Sequence, residues 1–141
     1  FIIGYPGEEE KNFKETINLI DKIKFINSYS FIFSPRPGTK AADLKLIDKN
    51  ISMNRLEKIQ NLLFENQIEM NKSLENNNLD VLVENLTEDM KQVFGRSEYM
   101  TPVIFNGEKS DIGKVVQVKI KQSNRSTLFG EKINSSNQKV A

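Results

Sequence analysis

Arg36 lies in the stretch "SPRPGT", residues 34–39, and its neighbours decide what it can do. Each proline fixes its own φ and biases the residue before it towards extended backbone, so Ser34 and Arg36 are held extended while Gly38 is free to turn left-handed before Thr39. A guanidinium on so stiff a loop can grip a carboxylate or a phosphate through paired hydrogen bonds. The same residues also suit a rigid loop whose arginine is merely solvated. A second stretch, "FIIGYPGEEE" at residues 1–10, has the form of a strand, a glycine turn and a helix start. Such turns usually offer helix N–H groups to an anion. Here three carboxylates follow and would repel a phosphate, so a ligand near Gly4 to Gly7 should be apolar or positively charged. The alternative is a tight turn whose glutamates only complement the helix dipole.

The third feature is charge. Between Lys91 and Arg125 seven Lys or Arg stand against three carboxylates, although the whole chain of 141 residues carries only +1. Lys119 and Lys121 share a strand face, Arg96 and Arg125 flank them in sequence, and Phe94, Tyr99, Phe105 and Phe129 are interleaved. Basic side chains among aromatics suit RNA, through phosphate neutralisation and base stacking. The competing account is that lysines solvate a barrel while aromatics fill its core. Chemistry of other kinds is excluded by composition: with no Cys and no His, the chain has no disulfide, no thiolate cluster and no Ser-His or Cys-His nucleophile. Any metal must be held elsewhere.

Two kinds of element must position these residues. At 38% apolar and 28% charged the composition is that of a globular protein with a core. No apolar run approaches the roughly 20 residues of a bilayer span, so no membrane partner and a cytoplasmic address are expected. Phe13, Ile17 and Ile20 recur at helical spacing and predict a helix over 8–24, with Glu8, Glu9 and Glu10 in its first turn. "SYSFIFSP" predicts a strand over 28–34, stopped by Pro35. Strand, helix, strand is a parallel unit that needs neighbours, which places further strands before residue 1 and marks the chain as part of a longer protein. A long helix over 52–74, capped by Ser52, follows. From residue 79 the period falls to two. Strands near 79–86, 91–97, 101–105, 114–122 and 126–133 predict a small five-stranded antiparallel barrel, then a polar tail.

Together, "FIIGYPGE", "FIFSPRPGTKAA", the helix with Arg55 and Leu56, "GRSEYMTPVIF", "IGKVVQVKI" and "STLFGE" resemble the C-terminal part of the radical-SAM methylthiotransferase family. The resemblance implies an α/β fold over 1–74, the end of a radical-SAM TIM-like barrel with its linker helix. It implies a TRAM domain, an OB-like all-β barrel, over 75–135, and a tail at 136–141. The "SPRPGT" turn is most similar to the branch that converts N6-isopentenyladenosine beside the tRNA anticodon to its 2-methylthio derivative. Branches acting on threonylcarbamoyladenosine tRNA or a ribosomal protein, or a non-catalytic RNA-binding protein, are the alternatives. The family implies S-adenosylmethionine as radical source and methyl donor, two 4Fe-4S clusters whose cysteines would precede this chain, a reductant and a sulfur donor. It also implies the tRNA anticodon stem-loop as partner. On that resemblance Ile2 and Gly4 would wall the cofactor; Ser34, Arg36, Gly38 and Thr39 would form a substrate or cofactor loop; and Arg96, Lys119, Lys121 and Arg125 would meet RNA phosphates. No catalytic residue and no metal ligand is expected within these 141 residues, so the piece alone should be inactive.

Overall fold

The computed structural model describes residues 1–133, which fall into two compact units divided within one helix, after Gln67. In the first unit, strand β1 (Ile2–Ile3) pairs in parallel with β2 (Phe31–Ile32), Ile2 beside Phe31. The ladder is short. Phe31 and Phe33 donate their N–H groups to the carbonyls of Phe1 and Ile3 at 2.9 and 2.8 Å, so the strand expected over 28–34 contracts to its paired centre.

Helix α1 spans Glu10–Ile23 and buries Phe13 and Ile20. It starts later than the charge pattern suggests. Glu9 is the cap residue, its N–H held by Asn12 Oδ1 at 2.9 Å. Of the three glutamates only Glu10 lies in the first turn, because Glu8 folds back to accept the Gly4 N–H at 3.0 Å. Lys24 ends the helix in the left-handed region, φ 56°.

A 3-10 turn at Lys40–Asp43 precedes helix α2, Lys49–Ser73. Ser52 is not its cap, contrary to expectation: Asp48 Oδ1 accepts from the N–H groups of Asn50 and Ile51 at 2.8 and 3.3 Å. A carboxylate four residues earlier satisfies the orphan donors better than a hydroxyl, and Ser52 is left buried inside the helix. Ile3, Phe13 and Ile20 pack with Ile59 and Leu63 to form the first core.

In the second unit five strands close into a barrel: β3 (Asn78–Leu86), β4 (Val93–Ser97), β5 (Pro102–Asn106), β6 (Val115–Ser123) and β7 (Leu128–Lys132). Their order around the ring is β3-β4-β5-β7-β6. Four pairs are antiparallel but β5 and β7 are parallel, which corrects the wholly antiparallel expectation. The cause is parity: strand direction cannot alternate around a closed ring of five. Bulges at Val83/Asn85 and Ile120/Gln122 bend the longest strands around the small circumference. The barrel is filled by inward residues of every strand, among them Val81, Val93, Val103, Phe105, Val118, Ile120 and Leu128, with Leu74 from the stretch after α2. Gly130 permits this tight closure, since a Cβ there would stand 2.5 Å from the Lys119 carbonyl oxygen.

The last part of the expected 75–135 domain and the 136–141 tail lie outside the described residues. Among the described residues no helix is long and apolar enough to cross a membrane.

Candidate functional site

In the first unit a cleft of about 580 Å³ is lined by Ile2, Phe31, Ile32, Phe33, Ser34 and Arg36. The structure thus brings together Ile2 from the first motif and Ser34 and Arg36 from the second. Strand pairing does this, since Ile2 and Phe31 are register partners and the chain leaves β2 directly into the proline loop. Ile2 and Phe31 are 57% and 59% exposed, an apolar wall open to solvent. Arg36 is exposed and, among the described residues, has no ion-pair partner. Its carbonyl accepts the Thr39 N–H at 3.2 Å and the Thr39 hydroxyl at 2.8 Å, while Gly38 takes φ +80°. Thr39 and Gly38 therefore shape the loop and do not line the cleft. Gly4 does not line it either. It has φ +74°, and a Cβ there would stand 2.5 Å from Ser52 Oγ, so its close approach is to helix α2.

What holds the Gly4 turn is a residue to which sequence reasoning assigned no role. Arg55 is 8% exposed and donates Nη1 to Glu8 Oε1 at 2.8 Å and to the Glu8 carbonyl at 3.0 Å. Its Nη2 reaches Glu10 Oε2 at 3.2 Å, and its guanidinium lies 5.2 Å from the Phe13 ring centre. Glu8 relays the tie to Gly4 N–H. The signal was present: Arg55 falls on the same helical stripe as Ser52 and Ile59, a cation where an apolar residue belongs.

In the second unit the four basic candidates occupy different settings. Arg96 Nε pairs with Glu84 at 3.2 Å, Nη1 donates to the Met100 carbonyl at 3.3 Å, and the guanidinium lies 5.8 Å from the Phe94 ring centre. Lys121 pairs with Glu131 at 3.1 Å. Lys119 is exposed and stands opposite Glu131 in the β6–β7 register. Arg125 is exposed in the hairpin between those strands. Of the aromatics, Phe105 is fully buried in the barrel core and leaves the list of base-stacking candidates; its side chain points inward by strand alternation. Phe94 and Phe129 face outward and are half-buried, and Tyr99 is exposed.

In the 3-10 turn after β5 Asp111 is buried, accepting the Glu108 N–H at 2.9 Å and pairing with Lys132 at 2.6 Å. These two bonds, the backbone one foremost, hold its carboxyl below the ordinary value of 3.8. Asp89 is likewise lowered, by the Thr87 hydroxyl and then the Lys91 N–H. Among the described residues no three carboxylates converge as metal ligands.

Residues 72–133 match the TRAM domain family, the barrel just described. Across all 141 residues the chain is 62% identical to tRNA-2-methylthio-N(6)-dimethylallyladenosine synthase of Pelagibacter ubique (strain HTCC1062). The likeness to that synthase thus runs through the barrel and the unit before it alike. Proteins of the same name are 41% identical over 134 residues in Ruthia magnifica and 43% identical over 132 residues in Vesicomyosocius okutanii, covering 94% and 93% of the chain. The chain spans 32%, 30% and 30% of the lengths of these three relatives.

Proposed function

We propose that this chain is the C-terminal part of a radical-SAM tRNA methylthiotransferase, acting in the cytoplasm, that converts N6-isopentenyladenosine beside the anticodon to its 2-methylthio derivative. The observation that carries the reading is identity of 62% sustained over the whole chain to a protein named for that reaction. The α/β unit contributes the closing strands of a TIM-like catalytic barrel, and the TRAM barrel grips the anticodon stem-loop.

The residues present fit one implied group and not the other. A 4Fe-4S cluster takes cysteine thiolates, and this chain has no Cys, so no residue here holds either cluster. S-adenosylmethionine, when bound, would supply the radical source and the methyl group; a reductant and a sulfur donor complete the requirements. Its planar adenine suits the apolar wall of Ile2 and Phe31, and its carboxylate, or a substrate phosphate, suits Arg36. Ile2 and Phe31 exclude water from the reacting atoms, Arg36 fixes orientation, and Arg55 with Glu8 keeps the Gly4 turn in place. On the barrel Lys119, Lys121, Arg96 and Arg125 neutralise RNA phosphates, and Phe94, Phe129 and Tyr99 offer ring surface to bases.

Arg36→Ala in the full-length protein tests the site. Nucleoside analysis of tRNA should show the 2-methylthio product nearly abolished with the fold intact; unchanged modification removes Arg36 from the reaction. The same analysis of a deletion strain tests the substrate. Loss of a methylthio group from threonylcarbamoyladenosine, or from a ribosomal protein, would reassign the enzyme to another branch of the family.

A further inference from the structure

Asn71 is fully buried in the last turn of α2, a place where an apolar side chain would cost less to bury. Its Nδ2 donates to two consecutive carbonyls of the β6–β7 hairpin, Asn124 at 2.8 Å and Arg125 at 3.0 Å. Those carbonyls belong to the peptide planes on either side of the Arg125 Cα. Fixing both planes fixes φ and ψ of Arg125, and with them the direction in which its side chain leaves the backbone. The rest of the loop is set by the same stretch of chain and by itself. Glu75 Oε1 accepts the Ser123 N–H at 3.0 Å and the Ser123 hydroxyl at 2.7 Å. Asn124 Oδ1 accepts the N–H groups of Ser126 and Thr127 at 2.9 and 2.8 Å. A hairpin tip of a small barrel does not need a buried amide to turn; turn chemistry of the Asn124 kind suffices.

We infer that Asn71 and Glu75 are positioning residues for RNA binding, holding the Ser123–Thr127 hairpin so that Arg125 is pre-aimed at a phosphate. The inference rests on the reading that the barrel binds tRNA. A loop ordered before binding does not pay its ordering entropy on contact, and one residue's backbone freedom corresponds to roughly a tenfold change in affinity.

The experiment is a double-mutant cycle in the full-length protein, with tRNA affinity measured across a range of salt concentrations and thermal unfolding recorded alongside. Arg125→Gln should lower the slope of log affinity against log salt by roughly 0.7–0.9, one phosphate's worth. Asn71→Ala should weaken binding about tenfold with the slope near the wild-type value, because the phosphate contact still forms once the loop orders on binding. In the Arg125→Gln background the same change should cost no further affinity. Equal losses in both backgrounds, or an affinity unchanged by Asn71→Ala alone, would overturn the positioning role and leave Asn71 as a structural residue. Should Asn71→Ala unfold, Glu75→Ala, which frees only the Ser123 end, enters the same cycle with the same two outcomes. Wild-type binding without salt dependence would overturn the RNA reading itself, a result distinct from additivity within the cycle.

Discussion

The barrel and the two-stranded sheet are built from similar residues and meet opposite fates. Every barrel strand has a partner on each side, and its inward residues, from Val81 to Leu128, are essentially inaccessible. Among the described residues β1 and β2 pair only with each other, and Ile2 and Phe31 stand more than half exposed. A closed ring has no edge and one interior, so alternation alone buries half of each strand. A parallel pair must be covered on both faces, and here one face is covered by α1 and α2 while the other carries the cleft. In the first unit a buried polar tie, Arg55–Glu8–Gly4, holds the turn beside that open face.

The comparison breaks if deleting a ring costs the same in both places. Phe105→Ala should destabilise the barrel by about 3–5 kcal/mol, read as lost hydrogen-exchange protection of its strand amides. Phe31→Ala, an exposed ring of equal size, should change the stability of the first unit by no more than about 0.5 kcal/mol. Equal losses would mean that the open face is part of a core. Arg55→Met comes next. Removing one partner of a largely buried ion pair leaves the Glu8 carboxylate uncompensated, at about 3 kcal/mol. Arg55→Met with Glu8→Gln should recover part of that loss, because the stranded charge is gone. No recovery would mean that Arg55 acts by packing on Phe13.

This contrast also separates what was legible in the sequence from what was not. The barrel's alternation, Leu79, Val81 and Val83 inward and Lys119 and Lys121 outward, is written in period two, so strand positions followed within two residues. The parallel β5–β7 pair was not, because adjacency around a ring depends on which strands close it. Ile2, Ser34 and Arg36 were each visible as unusual residues, and their meeting in one cleft follows from a register that sequence alone does not give. Glu8 was misplaced, Asn71 passed over and Phe105 left between core and surface for one reason. A glutamate in a charge run, an asparagine on a helix and an aromatic in a basic region all look like surface until their partners are known.

Acid should separate the units further. The folded carboxyl of Asp111 titrates below its ordinary value of 3.8, through the Glu108 N–H and then Lys132. A depressed carboxylate contributes stability that is fully present above the unfolded value and is lost as pH falls through the folded one. The barrel should therefore lose stability progressively below about pH 4. Asp111→Asn should lower stability at neutral pH and flatten that part of the acid dependence. An unchanged acid profile would assign the sensitivity to other carboxylates.

The smallest effect on stability should come from Glu131, and it bears most directly on function. Its carboxylate pairs with Lys121 at 3.1 Å with both side chains largely in solvent, and it faces Lys119 across the strand pair. An exposed pair of this kind is worth about 0–1 kcal/mol, so Glu131→Gln should leave unfolding nearly unchanged. Its effect on RNA should be opposite in sign to that of a lost lysine. If the proposed RNA face is right, the carboxylate would compete with phosphate for Lys121 and set a negative charge beside Lys119, so neutralising it should tighten tRNA binding and steepen the salt dependence. Replacing Lys119 and Lys121 by Gln should do the reverse. If Glu131→Gln weakened binding instead, the carboxylate would be holding Lys121 in its productive pose, and the basic face would depend on an internal ion pair for its geometry.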